Sequence, residues 1–203
     1  MPLTIELPIL AFASAAAFEK WLSKNHTSAG VWIKMAKKAT GIPSIAWDEA
    51  VDVALCFGWI DGQRNSLDAD YFLQKYTPRR ARSIWSKRNI AKIETLTARG
   101  KMQPAGMAQV DAAQKDGRWD AAYGGASEMV VPEDFLKAVK KSKKAQACFD
   151  TLKASGRFAI SFRLHTAKKP ETRARRFEAL LAMLEDGTLQ TTFGQVKKAA
   201  KAV

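Results

Sequence analysis

The chain has only two cysteines and two histidines among its 203 residues. Cys56 and Cys148 lie in apolar helical patterns, and neither has a metal-ligand neighbour at a C-x-x-C or H-x-x-x-H spacing. His26 and His165 are too few to support a histidine metal site or a Cys-His nucleophile pair. We therefore expect two reduced core cysteines in a cytosolic protein, and no metal.

Long uninterrupted apolar runs are also missing. Charged residues break every such run well short of the ~20 residues that span a bilayer. The segment LPILAFASAAAF superficially resembles the apolar region of a signal peptide, but no Lys or Arg precedes it and Glu6 stands where positive charge is expected. These features predict a cytoplasmic location and no transmembrane segment.

Catalytic and cofactor signatures are lacking as well. Gly41, Gly58 and Gly62 are scattered and form neither a phosphate-binding loop nor a dinucleotide fingerprint. No motif places a nucleophile beside a base and an orienting group. The sequence favours a binding protein without catalytic residues or a cofactor over an enzyme.

Basic residues, in contrast, are abundant. The 33 Lys and Arg outnumber the 20 Asp and Glu, for a net charge of +13. Residues 1–78 hold 7 basic against 8 acidic side chains, a charge of −1, while residues 79–203 hold 26 against 12, a charge of +14. This asymmetry suggests an anionic partner for the second part, although a well-solvated basic surface would look the same.

The first part of the chain mixes strand and helix signals. Val31, Ile33 and Met35 alternate with more polar neighbours, as a half-buried strand requires. Further strands are expected at 5–12, 59–64 and 71–77, the last two paired as a hairpin. Helices are expected after Ser14, up to about residue 26, and from Ser44 to Gly58.

Helix signals dominate from about residue 84. Helices are predicted over about 84–99, from Pro104 to Gly117, from Pro132 to about 141, after Ser142 and Ser155, and from Pro170 to Gly187. Gly124–Ser127 forms the best linker. We predict an α+β fold: an N-terminal domain over 1–123 with a small sheet and packed helices, an all-helical module over 128–187, and a basic, partly mobile tail over 188–203.

Rings and guanidinium groups are concentrated between Cys56 and Trp85. Seven residues there could line one cavity if the two strands pair: Trp59, Asp61, Arg64, Tyr76, Arg79, Arg80 and Trp85. Such a cavity would suit a ligand with an anionic group and a flat ring. In the alternative interpretation, Asp61 pairs with an Arg and the rings are core. Our hypothesis places Arg79 and Arg80 at the mouth of a pocket floored by Trp59 and Tyr76.

A second basic cluster lies near the start of the last predicted helix. It consists of Lys168, Lys169, Arg173, Arg175 and Arg176. This surface supports an alternative function, weak binding of nucleic acid. Against it, no recognised nucleic-acid motif is present, and Glu171 and Glu178 share the surface.

Several motifs together resemble the YdeI/OmpD-associated family. They are ALCFGWIDGQR (54–64), YTPRR with S-x-W-S (76–86), GKMQPAG (100–106) and DGRWDAAY (116–123). The segments VPEDFLKAV (131–139) and TAKKPETRARR (166–176) are similar to the family's helical module, often labelled bacteriocin protection. The resemblance covers about residues 7–187. It implies a role in envelope stress, porin association or protection from antimicrobial peptides, but no catalytic residue. The anionic ligand or protein partner that we expect follows from the basic charge and not from the resemblance.

Overall fold

The computed structural model describes residues 6–125 and 128–189. The chain divides into two compact units, one ending at Ala122 and the other beginning at Tyr123. The predicted linker thus falls close to this division, although Ala126 and Ser127 lie outside the described residues. Most of the predicted tail, from residue 190 onward, also lies outside them.

The first unit contains a four-stranded sheet in the order β1-β2-β4-β3. Its strands are β1 (Ile9–Ala11), β2 (Val31–Ala36), β3 (Trp59–Ser66) and β4 (Tyr71–Pro78). β1 runs parallel to β2, and the other neighbours are antiparallel. The predicted pairing of the last two strands is confirmed, and β4 lies between β2 and β3.

The helices of the first unit are α1 (Ala15–Asn25), α2 (Trp47–Cys56), α3 (Lys87–Ala98) and α4 (Pro104–Lys115). Ser14 caps α1 as predicted, since its hydroxyl oxygen accepts a hydrogen bond from the Ala17 N–H at 3.3 Å. A short 3₁₀ turn occupies Lys38–Thr40. These elements place helices both before and after the β3–β4 hairpin.

The core of this unit lies against one face of the sheet. The alternation expected for β2 is confirmed, because Val31, Ile33 and Met35 are buried and the residues between them are half-buried. This core also includes Phe18 and Leu22 of α1 and every residue of α2 from Ala50 to Cys56 except Asp52. The face that carries these residues is called the inner face below, and the opposite face is the outer face.

Two predicted helix starts in the first unit were wrong. α2 begins at Trp47 and not at Ser44, because the Ser44 hydroxyl accepts a hydrogen bond from the Ala36 N–H at 3.1 Å and closes the loop after β2. The third helix begins at Lys87, where Ser86 caps it through the Asn89 N–H at 3.1 Å. Trp85 therefore precedes α3 and packs into the core from a loop.

The second unit is helical in the described residues. It comprises α5 (Glu133–Lys141), α6 (Lys143–Asp150), α7 (Ala154–His165) and α8 (Pro170–Glu185). Ser142 caps α6 as predicted, but α7 begins at Ala154, so Ser155 lies inside the helix. Leu180 and Leu184 of α8 are buried, while Phe177 and Leu181 pack at the margin of the core. The α+β fold class is confirmed.

None of the helices in the described ranges is long and apolar enough to cross a bilayer.

Candidate functional site

The β3–β4 hairpin determines where the first set of candidate residues lies. In its register, Trp59 faces Pro78 and Asp61 faces Tyr76. Asp61 therefore points to the same face as Tyr76, which is the inner face. An irregularity in the register then separates Asp61 from Arg64. Arg64 is exposed, with its guanidinium carbon 3.7 Å from the centre of the Phe72 ring.

The three aromatic candidates are core residues. Trp59 and Tyr76 have no exposed surface, and Trp85 is 1% exposed. The Trp59 indole N–H donates to the carbonyl of His26 at 2.8 Å. The Trp85 ring lies 5.1 Å from that of Trp119. With no surface that water reaches, Trp59 and Tyr76 do not form the floor of an open pocket in this structure.

The two adjacent arginines have different environments. Arg79 is 6% exposed, and its guanidinium carbon lies 3.5 Å from the centre of the Trp85 ring. Its Nη1 donates to the carbonyl of Ile84 at 3.3 Å. The Arg80 side chain is exposed. Arg79 thus belongs to the core of the first unit, and only Arg80 faces solvent.

The pKa of Asp61 reflects its position beside these core residues. Burial raises the pKa of Asp61, and a hydrogen bond from the Trp47 side chain together with the charges of Arg88 and Arg79 opposes the rise. Burial also raises the pKa of the Tyr76 hydroxyl, as do the nearby Asp61 and Asp48. The structure thus brings Asp61, Tyr76, Arg79 and Trp85 into one region and separates Arg64 and Arg80 from them. Ligand binding by this set stays a prediction.

A groove between α7 and α8 combines aromatic rings with guanidinium groups. It has a volume of about 460 Å³ and is lined by Phe158, Ala159, Phe162, Arg163, Thr166 and Arg176. Nη1 of Arg176 donates to the Arg163 carbonyl at 2.8 Å and to the Thr166 hydroxyl oxygen at 3.3 Å. These hydrogen bonds hold the Arg176 guanidinium at the wall of the groove.

Arg176 was predicted from the sequence as part of a basic surface, but the other residues of this groove were not. The signal was the spacing of Phe158 and Phe162, which places two rings on the same side of one helix. Their rings lie 5.8 Å apart, and Tyr123 packs edge-on against Phe162 at 4.9 Å. Arg176 lines the same groove as these rings because α8 packs along α7.

The other members of the predicted basic surface divide into two groups. Arg173 bonds to the Asp134 carboxylate at 2.8 Å and thereby lowers the pKa of Asp134. Lys168, Lys169 and Arg175 are exposed and have no ion pair among the described residues. Three of the five cations therefore remain available to an anionic partner, and nucleic-acid binding by this surface stays a prediction.

A second groove lies in the first unit beside the C-terminal end of α2. It has a volume of about 240 Å³, and its walls include Glu19, Asp52, Cys56 and Arg99. Burial, followed by the charges of Glu19 and Asp52, raises the pKa of the Cys56 thiol to about 11. Such a thiol stays protonated near neutral pH and is a poor nucleophile. Cys148 is also a free, buried thiol.

The protein is thus of the α+β class and has two compact units. Its helical unit carries a groove lined by phenylalanine and arginine side chains. Residues 128–187 match the family described as "Bacteriocin-protection, YdeI or OmpD-Associated". The helical module is thus similar to the YdeI/OmpD-associated family, and the family predicted from its motifs is confirmed over these residues.

The first unit matches a different family. Residues 10–109 match a family described as "Domain of unknown function (DUF8412)". The motifs at 54–64, 76–86 and 100–106 lie within this match. No curated protein and no solved structure matches the chain.

Proposed function

We propose that this protein is a non-catalytic binding protein of bacteriocin or antimicrobial-peptide resistance, and that the α7–α8 groove binds an anionic ligand. The observation that carries the proposal is the Arg176 guanidinium, held by hydrogen bonds at the wall of a groove that two phenylalanines also line. The similarity of the module to a family described by bacteriocin protection supports the biological context.

The chemistry of the groove favours binding over catalysis. Its described lining combines two Arg, one Thr and apolar side chains, and includes no carboxylate, imidazole or thiol that could act as a base or nucleophile. Arg176 uses only Nη1 in its hydrogen bonds within the described part of the chain. Its remaining donors suit a carboxylate, sulfate or phosphate, and the phenylalanines suit a flat apolar portion of the same ligand.

Charge around the groove supports the same ligand class. Lys168 and Lys169 lie at the start of α8, which begins at Pro170 without a side-chain cap. The uncapped N–H groups and the helix dipole add to the positive potential there. Glu171 lies in the first turn of α8, but the described lining of the groove itself contains no carboxylate that would oppose an anion.

The neighbouring arginines of α8 provide a matched pair of variants. Phosphate or sulfate should raise the melting temperature of the unmodified protein, because an anion that binds only the folded state stabilises it. Arg176→Ala should abolish that rise, whereas Arg175→Ala, which removes the same charge outside the groove, should keep it. The measured quantity is the shift caused by the anion, because Arg176→Ala also lowers baseline stability by removing two hydrogen bonds.

A cellular assay tests the context separately. Bacteria that produce this protein should survive a bacteriocin or a cationic antimicrobial peptide better than bacteria without it, and Arg176→Ala should lose this protection while Arg175→Ala retains it. Fractionation of the same cells tests the cytoplasmic location that we propose. Binding in the groove would be refuted if phosphate and sulfate do not raise the melting temperature of the unmodified protein. It would also be refuted if they raise that of Arg176→Ala and Arg175→Ala equally.

A further inference from the structure

The outer face of the sheet is distinct from the core. On β2, Trp32 and Lys34 point away from the buried Val31, Ile33 and Met35 and are half-buried. On β4, Tyr71, Leu73 and Lys75 alternate in the same way with buried residues. Trp32, Tyr71 and Leu73 do not belong to the hydrophobic core. These side chains therefore form a surface and not a packed interior.

The register gives this surface a regular arrangement. Trp32 lies beside Lys75, Lys34 beside Leu73, and Ala36 beside Tyr71. Trp32 and Tyr71 are thus four positions apart along neighbouring strands, or about 13 Å at ~3.3 Å per residue. On the edge strand, Ile9 lies beside Trp32 and is 56% exposed. The result is a surface with one large ring near each end and a cation beside each ring.

The two lysines lie close to the two rings. Nζ of Lys34 is 3.9 Å from the centre of the Tyr71 ring, and Nζ of Lys75 is 5.6 Å from the centre of the Trp32 ring. Among the described strand residues, no Asp or Glu takes an outward position. The carboxylate of Asp68 in the adjoining turn accepts hydrogen bonds from the N–H groups of Asp70 and Tyr71. The outer face is therefore positively charged and partly aromatic.

We propose that this outer face binds single-stranded nucleic acid, with bases stacked on Trp32 and Tyr71 and phosphates paired with Lys34 and Lys75. Aromatic rings on an open four-stranded sheet are an established means of stacking unpaired bases. Lys34 would exchange its contact with the Tyr71 ring for a phosphate, which its flexible side chain permits. This inference goes beyond the groove in the helical unit and does not depend on it.

Charge and shape favour this occupant over others. A second copy of the chain bound face to face would bring four lysine ammonium groups together, and the described strands offer no Asp or Glu at an outward position to pair with them. A duplex offers phosphates but keeps its bases stacked inside, out of reach of the rings. An acidic peptide would satisfy the lysines but has no succession of flat rings. Single strands supply both the anionic groups and the stacking surface.

Binding to the full chain is measured by the fluorescence anisotropy of labelled single strands of RNA and DNA. Strands of about 12 nucleotides lie within the known range of site sizes. The unmodified protein should bind them more tightly than the corresponding duplex. Trp32→Ala should weaken binding roughly tenfold, as expected for the loss of one stacked base, while Trp32→Phe should retain most of the affinity. Arg82→Ala, which removes an exposed charge from the loop after β4, should leave binding unchanged. Lys168→Ala should weaken binding less than Trp32→Ala does, which distinguishes this site from the basic surface of the helical unit.

A second variant keeps the test decisive if Trp32→Ala unfolds the protein. Lys34→Gln combined with Lys75→Gln preserves most of each side chain and should reduce the slope of log affinity against log salt by roughly one to two units, because two phosphate contacts are lost. Equal affinity for duplex and single strand would overturn the proposal. The same follows if Trp32→Ala folds and binds normally, or if Lys168→Ala weakens binding while Trp32→Ala does not. Binding to an acidic peptide but not to either nucleic acid would overturn it in favour of a protein partner.

Discussion

The guanidinium carbon of Arg79 lies 3.5 Å from the centre of the Trp85 ring, and both side chains are buried. A cation stacked on a buried indole is held by the ring's electrostatic field and by contact over its whole plane. This relationship ties the end of β4 to the loop before α3. It also explains why an arginine from a charged segment packs into the core.

Replacing Arg79 should therefore cost much more stability than replacing its neighbour. We expect Arg79→Ala to lower the free energy of unfolding by about 3 kcal/mol, because it leaves a cavity over Trp85 and removes a positive charge near Asp61. Arg80→Ala should change it by no more than about 0.5 kcal/mol, since the Arg80 side chain is exposed. Chemical denaturation of both variants measures the difference. Equally small losses would show that the stacking contributes little.

The raised pKa of Asp61 predicts a stability that depends on pH. In the folded state Asp61 holds its proton more tightly than in the unfolded chain, so ionisation penalises folding increasingly as the pH rises through the folded pKa. Asp61→Asn mimics the neutral form and can still accept from Trp47. It should be at least as stable as the unmodified protein near neutral pH, and the difference should disappear below the unfolded pKa of about 3.9.

Asp68 serves as the control, because its pKa is lowered whereas that of Asp61 is raised. The N–H groups of Tyr71 and Asp70 lower its pKa, so its contribution to stability is present above the unfolded pKa and is lost as the pH falls through the folded pKa. Asp68→Asn should therefore be less stable near neutral pH and equal to the unmodified protein in acid. Urea unfolding at several pH values tests both variants. If the unmodified protein is more stable than Asp61→Asn at neutral pH, the prediction for Asp61 is wrong.

Gly106 allows α4 to approach the end of α2. A Cβ at this position would overlap the backbone carbonyl of Cys56, so Gly106→Ala should destabilise the protein by about 2 kcal/mol, although the same change usually favours a helix. Gly125→Ala is the control, because no atom of the described residues lies within 4 Å of the corresponding Cβ. Thermal unfolding measures the melting temperatures of Gly106→Ala and Gly125→Ala, and only the first should fall. An unchanged or higher value for Gly106→Ala would mean that the two helices separate at little cost.

The cysteines should react only when the protein unfolds. With a pKa of about 11, Cys56 is ionised to about one part in a thousand near pH 8, and Cys148 is likewise buried. Mass spectrometry should find little alkylation of the native protein and two modifications under denaturing, non-reducing conditions. Absence of modification in denaturant would indicate a disulfide. Fast native reaction at Cys56 would show that its groove admits the reagent.

The proposed domain boundary at 123–128 can be tested by limited proteolysis. Elastase, which cleaves beside small residues, should first cut close to the division between the two units, because the compact units themselves protect their backbones. Fragments identified by mass should end near Tyr123 or begin near Glu128. First cuts within 44–99 would show that the first unit is less compact than its core indicates.

Local features of the fold could be predicted from sequence because they depend on neighbouring residues. The alternation of β2, the Ser14 and Ser142 caps, and the helix starting at Pro170 all follow from spacing and backbone chemistry. Ser44 shows the limit of such signals. Its hydroxyl could have capped a helix but instead bonds to Ala36, a partner that sequence spacing does not reveal.

The candidate site was less predictable, because burial is decided by contacts between distant segments. Sequence alone established that rings and arginines are concentrated between Cys56 and Trp85, that positive charge is concentrated in the second part of the chain, and that the helical module resembles a known family. Only the tertiary structure decided that Arg79 is covered by Trp85 while Arg80 is exposed. Likewise, Arg176 and Phe162 line one groove only because α8 packs along α7. Composition and spacing determine which groups are available, whereas packing determines which of them are desolvated and which remain free to bind.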